Sequence, residues 1–138
     1  MTGVQTCALP IFAGYVRDLQ PSELLLQIYE TQRDAGCRID SIVLMGIGEP
    51  LDNFDNVVQF FRLLSHPDGM NMSLRHAALS TCGLVPQIRQ LADLRLGVTL
   101  SVSLHSPENQ RRSEIMPVNR RYQAGNISGV YSNYIADP

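Results

Sequence analysis

Apolar residues along this chain recur in two alternating rhythms. In PSELLLQIYETQRDAG, residues 21–36, Leu24, Leu25, Ile28 and Tyr29 return at helical spacing, with Pro21 suited to a helix start and Gly36 to its end. DSIVLMG follows, a short apolar run with β-branched residues, expected as a buried strand. NVVQFFRLLSH goes back to helical spacing through Val57, Phe60, Phe61 and Leu64. After the polar turn HPDGMN, RHAALS reads as a weaker strand. VPQIRQLAD then predicts a short helix with Ile88, Leu91 and Leu94 inward, and LGVTLSVSLH the clearest remaining strand. PENQRRSEIMPVNRRY is polar and basic, and NISGVYSNYIADP carries Ile127, Val130, Tyr131, Tyr134 and Ile135 at helical spacing.

Helix and strand alternate three times, with strands about thirty and then about twenty residues apart. That order implies βαβ units and parallel pairing through right-handed connections. No strand follows the last helix, and no internal repeat or linker interrupts the chain. The expectation is therefore a slice of one α/β domain. The first twelve residues, MTGVQTCALPIF, follow neither rhythm and resemble translated sequencing-adapter sequence. They are expected to be a non-native or disordered leader, leaving residues 13–138 as a partial core domain.

Composition narrows the function classes. The chain has 138 residues, 44% hydrophobic and 17% charged, with a formal net charge of -2. It has length enough for one modest core and no global positive field for nucleic acid. No apolar run reaches membrane-spanning length, and the N-terminus makes a poor signal peptide. Cys7, Cys37 and Cys82 are odd in number and widely spaced, so neither a disulfide scaffold nor a self-contained metal site is suggested. A reducing cytoplasm fits best.

Ligands of parallel α/β folds gather at the carboxyl ends of strands. Three such ends stand out: Gly46-Ile47-Gly48-Glu49-Pro50, Ser80-Thr81-Cys82-Gly83 and Ser103-Leu104-His105-Ser106. Gly46 and Gly48 permit positive φ or close approach of a ligand. Pro50 disfavours helical geometry at Glu49, whose carboxylate suits an ammonium or a pair of hydroxyls. The plain alternative is a strand-to-loop turn with an exposed glutamate. Ser80, Thr81 and Gly83 read equally as a cap on the third helix. Ser103 and His105 alternate along a strand end and so are expected on one side, where His105 is either a site residue or an ordinary edge histidine. The glycines match neither GxGxxG nor a Walker loop, and nothing offers a metal triad or a nucleophile elbow.

MGIGEPLDN, LSTCGLVP and VSLHSPENQRRSEIMPVNRRY, in this order, resemble the adenine-C2 methyltransferases of ribosomal and transfer RNA, the RlmN family of radical S-adenosylmethionine enzymes. The resemblance covers roughly residues 14–122. It implies an α/β fold, a fragment of a partial (β/α) barrel of the radical SAM type with parallel strands. It implies that Gly48 and Glu49 meet the amino end of S-adenosylmethionine, that Ser80 makes a second contact, and that Ser103, Leu104 and His105 make a third near the ribose. Asn53 closes the MGxGEPxxN pattern. The complete enzyme so resembled acts on 23S rRNA and tRNA through a methylated cysteine and a 5'-deoxyadenosyl radical, with a 4Fe-4S cluster supplying the electron.

The CxxxCxxC loop that holds this cluster is absent, as are the two methyl-transfer cysteines. The chain is therefore expected to be inactive alone, a cosubstrate wall without catalytic or metal-binding residues. Arg111, Arg112, Arg120 and Arg121 form two adjacent pairs that either contact RNA phosphates or make a solvated basic face. No membrane partner is implied, and the complete protein is expected to be a monomer. A different radical SAM enzyme and a non-catalytic α/β binding module are the competing readings.

Overall fold

The first helix, α1 (Pro21–Ala35), begins and ends as its sequence dictates. Proline loses nothing in a first turn, where its N–H would have no intrahelical acceptor. Glu23 reaches back to accept from the Gln20 N–H at 2.8 Å. Gly36 closes the helix with φ 66°, and its N–H donates to the Gln32 carbonyl at 2.9 Å. The computed structural model describes residues 15–46 and 48–136; the expected leader at 1–12 lies outside them.

Three strands follow among the described residues, β1 (Ile42–Leu44), β2 (Ala77–Thr81) and β3 (Thr99–Val102), all parallel and in the order β1-β2-β3. Helix α2 (Phe54–Ser65) and helix α3 (Val85–Asp93) form the two crossovers. The polar, basic stretch after β3 folds as helix α4 (Asn109–Ile115) and a 3-10 turn over Pro117–Arg120, followed by helix α5 (Ala124–Ala136).

A monotonic strand order has a physical consequence. Right-handed crossovers that always step the same way put every helix on one side of the sheet, as in a barrel wall, whereas a doubly wound sheet reverses direction and covers both faces. Register identifies the two faces. Ile42, Leu44, Ala77, Leu79, Leu100 and Val102 lie on the helix-covered side and join the core with Phe60, Phe61, Leu64, Ile88 and Leu91. Val43, Ala78, Ser80, Thr99 and Ser101 occupy the other face, small or polar except for Val43.

Several expectations need correction. The first strand is not buried: Val43 is 62% exposed and Met45 57%, because β1 is the last strand on its side and its second face is uncovered. Leu94 is half-buried but lies past the end of α3. The third strand stops at Val102, three residues before the sequence pattern ends.

Helix α5, the last element among the described residues, finds partners on both the helix layer and the sheet. It packs on α3 through buried Ile127 and Val130. The Ser103 N–H donates to the Thr81 carbonyl at 2.9 Å, so alternation turns the Val98 and Leu100 carbonyls toward the free edge of β3. Two tyrosines of α5 reach them: Tyr134 Oη donates to Val98 at 2.7 Å and Tyr131 Oη to Leu100 at 3.3 Å. The hydroxyls satisfy an edge that is otherwise a template for further strands.

Burial, and then the neighbouring Tyr131, push the Tyr134 phenol up to about 12. A free tyrosine titrates near about 10. Above that pH the unfolded chain loses a proton that the folded chain retains, so the stability from this contact is complete below pH about 10 and is lost as pH rises through about 12. Thermal melts across this range should fall more steeply for the wild type than for Tyr134→Phe; parallel curves would remove Tyr134 from the alkaline response.

Candidate functional site

The strand tips are tied to one another by side chains that reach across to backbone. At the β1 tip, Gly46 and Gly48 have φ 109° and 103°, and a Cβ at either would meet nothing within 4 Å. The glycines are there for the backbone conformation, and the space before them is open. Glu49 is extended (φ −109°, ψ 108°), as a residue before proline should be. It is half-buried, and both carboxylate oxygens are engaged: Oε1 accepts from Leu51 N–H at 3.0 Å and Oε2 from Cys82 N–H at 2.7 Å. Glu49 therefore staples the first tip to the second, so the plain reading of an exposed glutamate in a turn does not hold.

At the β2 tip, Thr81 Oγ1 accepts from the Gly83 N–H at 3.1 Å, a local turn in place of a helix cap. The N-cap of α3 is Leu84, with no side-chain capping bond, so the expected cap role for Ser80, Thr81 and Gly83 is not found. Ser80 instead meets Ser103, their hydroxyl oxygens 3.3 Å apart on the uncovered face. Two of the expected site residues are thus in direct contact.

The β3 tip departs from the simple alternation expected of it. His105 is left-handed at φ 60°, and the Ser106 N–H donates back to the Leu104 carbonyl at 2.7 Å, closing a tight γ-type turn. Ser103 and His105 are consequently not successive same-side positions of one strand. Leu104 and His105 are both exposed, with the Leu104 carbonyl drawn inward.

What draws it is Arg112, the largest fully buried side chain among the described residues and one of the four arginines that the sequence sets in two adjacent pairs. Its Nε donates to the Leu104 carbonyl at 3.0 Å and Nη2 to the Cys82 carbonyl at 2.7 Å. Nη1 donates to Asn119 Oδ1 at 2.7 Å and to the Tyr122 carbonyl at 3.1 Å. Buried Asn119 in turn donates to the Asn109 carbonyl and Ser113 Oγ, each at 2.8 Å. Arg112 is therefore no phosphate ligand, because water and RNA do not reach it. Arg111, Arg120 and Arg121 are exposed, and the Arg121 guanidinium stands 5.4 Å from the Tyr122 ring centroid. The signal for the buried pair lay in the sequence as Arg112 seven residues before Asn119, with Met116-Pro117 turning the chain between them.

Asn53 fastens the approach to α1, donating through Nδ2 to the Leu19 carbonyl at 2.8 Å and accepting from Asn56 at 2.7 Å. Although Asp52 is exposed, desolvation of its carboxyl, then the charges of Glu49 and Asp18, push its pKa up. Among the described residues no three His, Cys, Asp or Glu side chains are grouped to hold a metal ion.

No protein-family model matches the chain. Curated proteins do. A probable dual-specificity RNA methyltransferase RlmN from Lachnospira eligens is 44% identical over 133 residues, 96% of this chain, and one from Desulforamulus reducens is 47% identical over the same share. The chain spans 38% of the length of both relatives. Among solved structures, a radical SAM methyltransferase from Sphaerobacter thermophilus superposes with TM-score 0.85 at 36% identity, over 91% of this chain and 38% of that one.

Gly83 shows how tightly the second tip is held. It has φ 103°, and a Cβ there would lie 2.5 Å from Ile127 Cδ1 of α5. Gly83→Ala should cost roughly 1–3 kcal/mol for the clash and a similar amount for the backbone. Adding Ile127→Ala should relieve only the first part relative to Ile127→Ala alone, measured by denaturant unfolding of all four forms. Full relief would mean that backbone conformation contributes nothing.

Proposed function

Because the chain belongs by homology to the RlmN family of radical SAM RNA methyltransferases, we propose that its strand tips form part of the S-adenosylmethionine wall of such an enzyme. The observation that carries this reading is the joining of three tips, through Glu49 to Cys82 and Ser80 to Ser103, beside an uncovered polar face. Gly48 and Glu49 receive the methionine ammonium, Ser80 makes a second contact, and Ser103, Leu104 and His105 line the ribose side. The ammonium uses acceptor capacity left on the Glu49 carboxylate after its two backbone bonds, since each oxygen has two lone pairs. The complete protein transfers a methyl group to C2 of adenine in 23S rRNA and tRNA. It works in the cytoplasm as a monomer. Exposed Arg111, Arg120 and Arg121 are the phosphate-contacting candidates on this segment.

A 4Fe-4S cluster needs closely spaced thiolates. Of the described cysteines, Cys37 is exposed and Cys82 is buried, and neither belongs to a metal-binding group. These residues do not fit the cluster, and the chain by itself acts as a cosubstrate-binding segment without catalysis. Anaerobic reconstitution with iron and sulfide should leave it without a stoichiometric, chelator-resistant four-iron cluster. Recovery of one would overturn this part of the reading.

The binding reading is tested by titrating isotope-labelled chain with S-adenosylmethionine and following backbone amides. Shifts should concentrate at Gly48, Ser80, Ser103 and His105. Shifts confined to the opposite edge of the sheet, or none at all, would reject it. Glu49→Gln should weaken binding by about ten- to a hundredfold, the effect of one charge-assisted bond of roughly 1.5–3 kcal/mol. The same change should also lower the melting temperature, because an amide cannot accept from both Leu51 and Cys82 as the carboxylate does. An unchanged affinity in the folded variant would free Glu49 of any ligand role.

A further inference from the structure

We propose that Arg112 is a positioning residue for the cosubstrate site: its buried guanidinium sets the separation of the second and third strand tips and holds His105 in its left-handed turn. The inference rests on the S-adenosylmethionine reading for what the tips bind, but not for how they are held.

The guanidinium is rigid and planar, and all three of its nitrogens are used. One edge spans the two tips, with Nε on the Leu104 carbonyl at 3.0 Å and Nη2 on the Cys82 carbonyl at 2.7 Å. Those carbonyls belong to the loops that carry His105 and follow Ser80. Their distance apart is fixed by the spacing of two nitrogens in one plane. The remaining nitrogen is held by Asn119 and the Tyr122 carbonyl, so the plane cannot rotate. Asn119 is anchored in turn to Asn109 and Ser113 of α4.

The left-handed turn depends on the same clamp. The Leu104 carbonyl accepts both the Arg112 Nε–H and the Ser106 N–H, so it is pinned on the side that closes the turn around His105. A non-glycine residue at φ 60° is disfavoured in isolation and persists where the surroundings over-determine it. Cys82 is gripped from both ends: its N–H by Glu49 and its carbonyl by Arg112. All three proposed contact regions thus converge on one fully buried arginine. Lysine could preserve the charge but not the planar fork that spans two carbonyls.

The experiment compares the wild-type chain with Arg112→Lys and Asn119→Ala, each first shown to be folded by its melting transition. The first readout needs no ligand: the φ-dependent amide coupling of His105 and the amide shifts of Gly83. In folded Arg112→Lys, His105 should leave the left-handed region while amides of α1 stay in place. Unchanged coupling at His105 overturns the proposal. The second readout is S-adenosylmethionine affinity, which should fall by about ten- to a hundredfold in Arg112→Lys, the scale of small misplacements at a site. A lysine variant that binds like the wild type shows that charge alone suffices, which also overturns it. If Arg112→Lys does not fold, Asn119→Ala keeps the guanidinium and frees one of its edges, and both readouts apply to it unchanged. If wild-type chain binds no S-adenosylmethionine, the cosubstrate reading fails by itself, and the His105 coupling still decides whether Arg112 positions the tips.

Discussion

A buried guanidinium has to be surrounded by acceptors, and that requirement organises the working end of this protein. Arg112 is fully buried and bonded to carbonyl oxygens of Cys82, Leu104, Asn119 and Tyr122. Leaving a buried donor without its acceptor costs about 1–3 kcal/mol, and more when the group is charged, above what a typical surface contact contributes. The acceptors come from the β2 tip, the β3 tip, the turn after α4 and the lead into α5. None can move far without leaving part of the guanidinium unsatisfied. A short helix, a 3-10 turn and two loops are thereby locked together, although between them they contribute few residues to the apolar core.

The sheet supplies the second constraint. Three parallel strands in chain order, with crossovers of one hand, leave one face to helices and one face bare. The residues follow that division closely. Leu79 and Leu100 are buried with the helices, while Ser80 meets Ser103 on the other side. A parallel sheet normally has both faces covered. One small, polar face therefore marks an interior surface of a larger wall, in keeping with the 0.85 TM-score to a radical SAM methyltransferase of which this chain matches 38%. The same geometry explains why Val43 is exposed although its strand reads as apolar throughout.

Much of this was legible in the sequence because it depends on periodicity. The helical spacing of Leu24, Leu25, Ile28 and of Val57, Phe60, Phe61, Leu64 follows from which side of a helix meets a sheet, and α1, α2 and α3 form where it predicts. The three strand tips were legible as glycine and hydroxyl residues abruptly ending apolar runs. What could not be read was direction. The pattern LGVTLSVSLH extends through His105, but the strand ends at Val102 and the chain turns around His105, where Arg112 bonds the Leu104 carbonyl. Arg112 itself was hidden by composition: beside Arg111, and near Arg120 and Arg121, it looks like part of a solvated pair. Three of its acceptors, on Leu104, Asn119 and Tyr122, lie within ten residues, but only the fold gathers them with the distant Cys82 carbonyl around one side chain.

Glu49 meets a structural demand that the structure shows, and in the proposed site the same carboxylate meets a second. Two backbone N–H groups, of Leu51 and Cys82, take one lone pair on each oxygen. These bonds are satisfied by the chain alone, so the glutamate has a structural role before any ligand arrives. Charge-assisted bonds of this kind contribute about 1.5–3 kcal/mol each, enough to explain why a half-buried carboxylate stands at a strand tip. Desolvation, and then the Glu49 charge, raise the pKa of the neighbouring Asp52. A binding module with an idle surface glutamate would need neither the staple to Cys82 nor two open glycines immediately before it. Holding the tip and attracting a cation are therefore compatible uses of one group: the first fixes where the negative charge stands, and the second depends on its standing there.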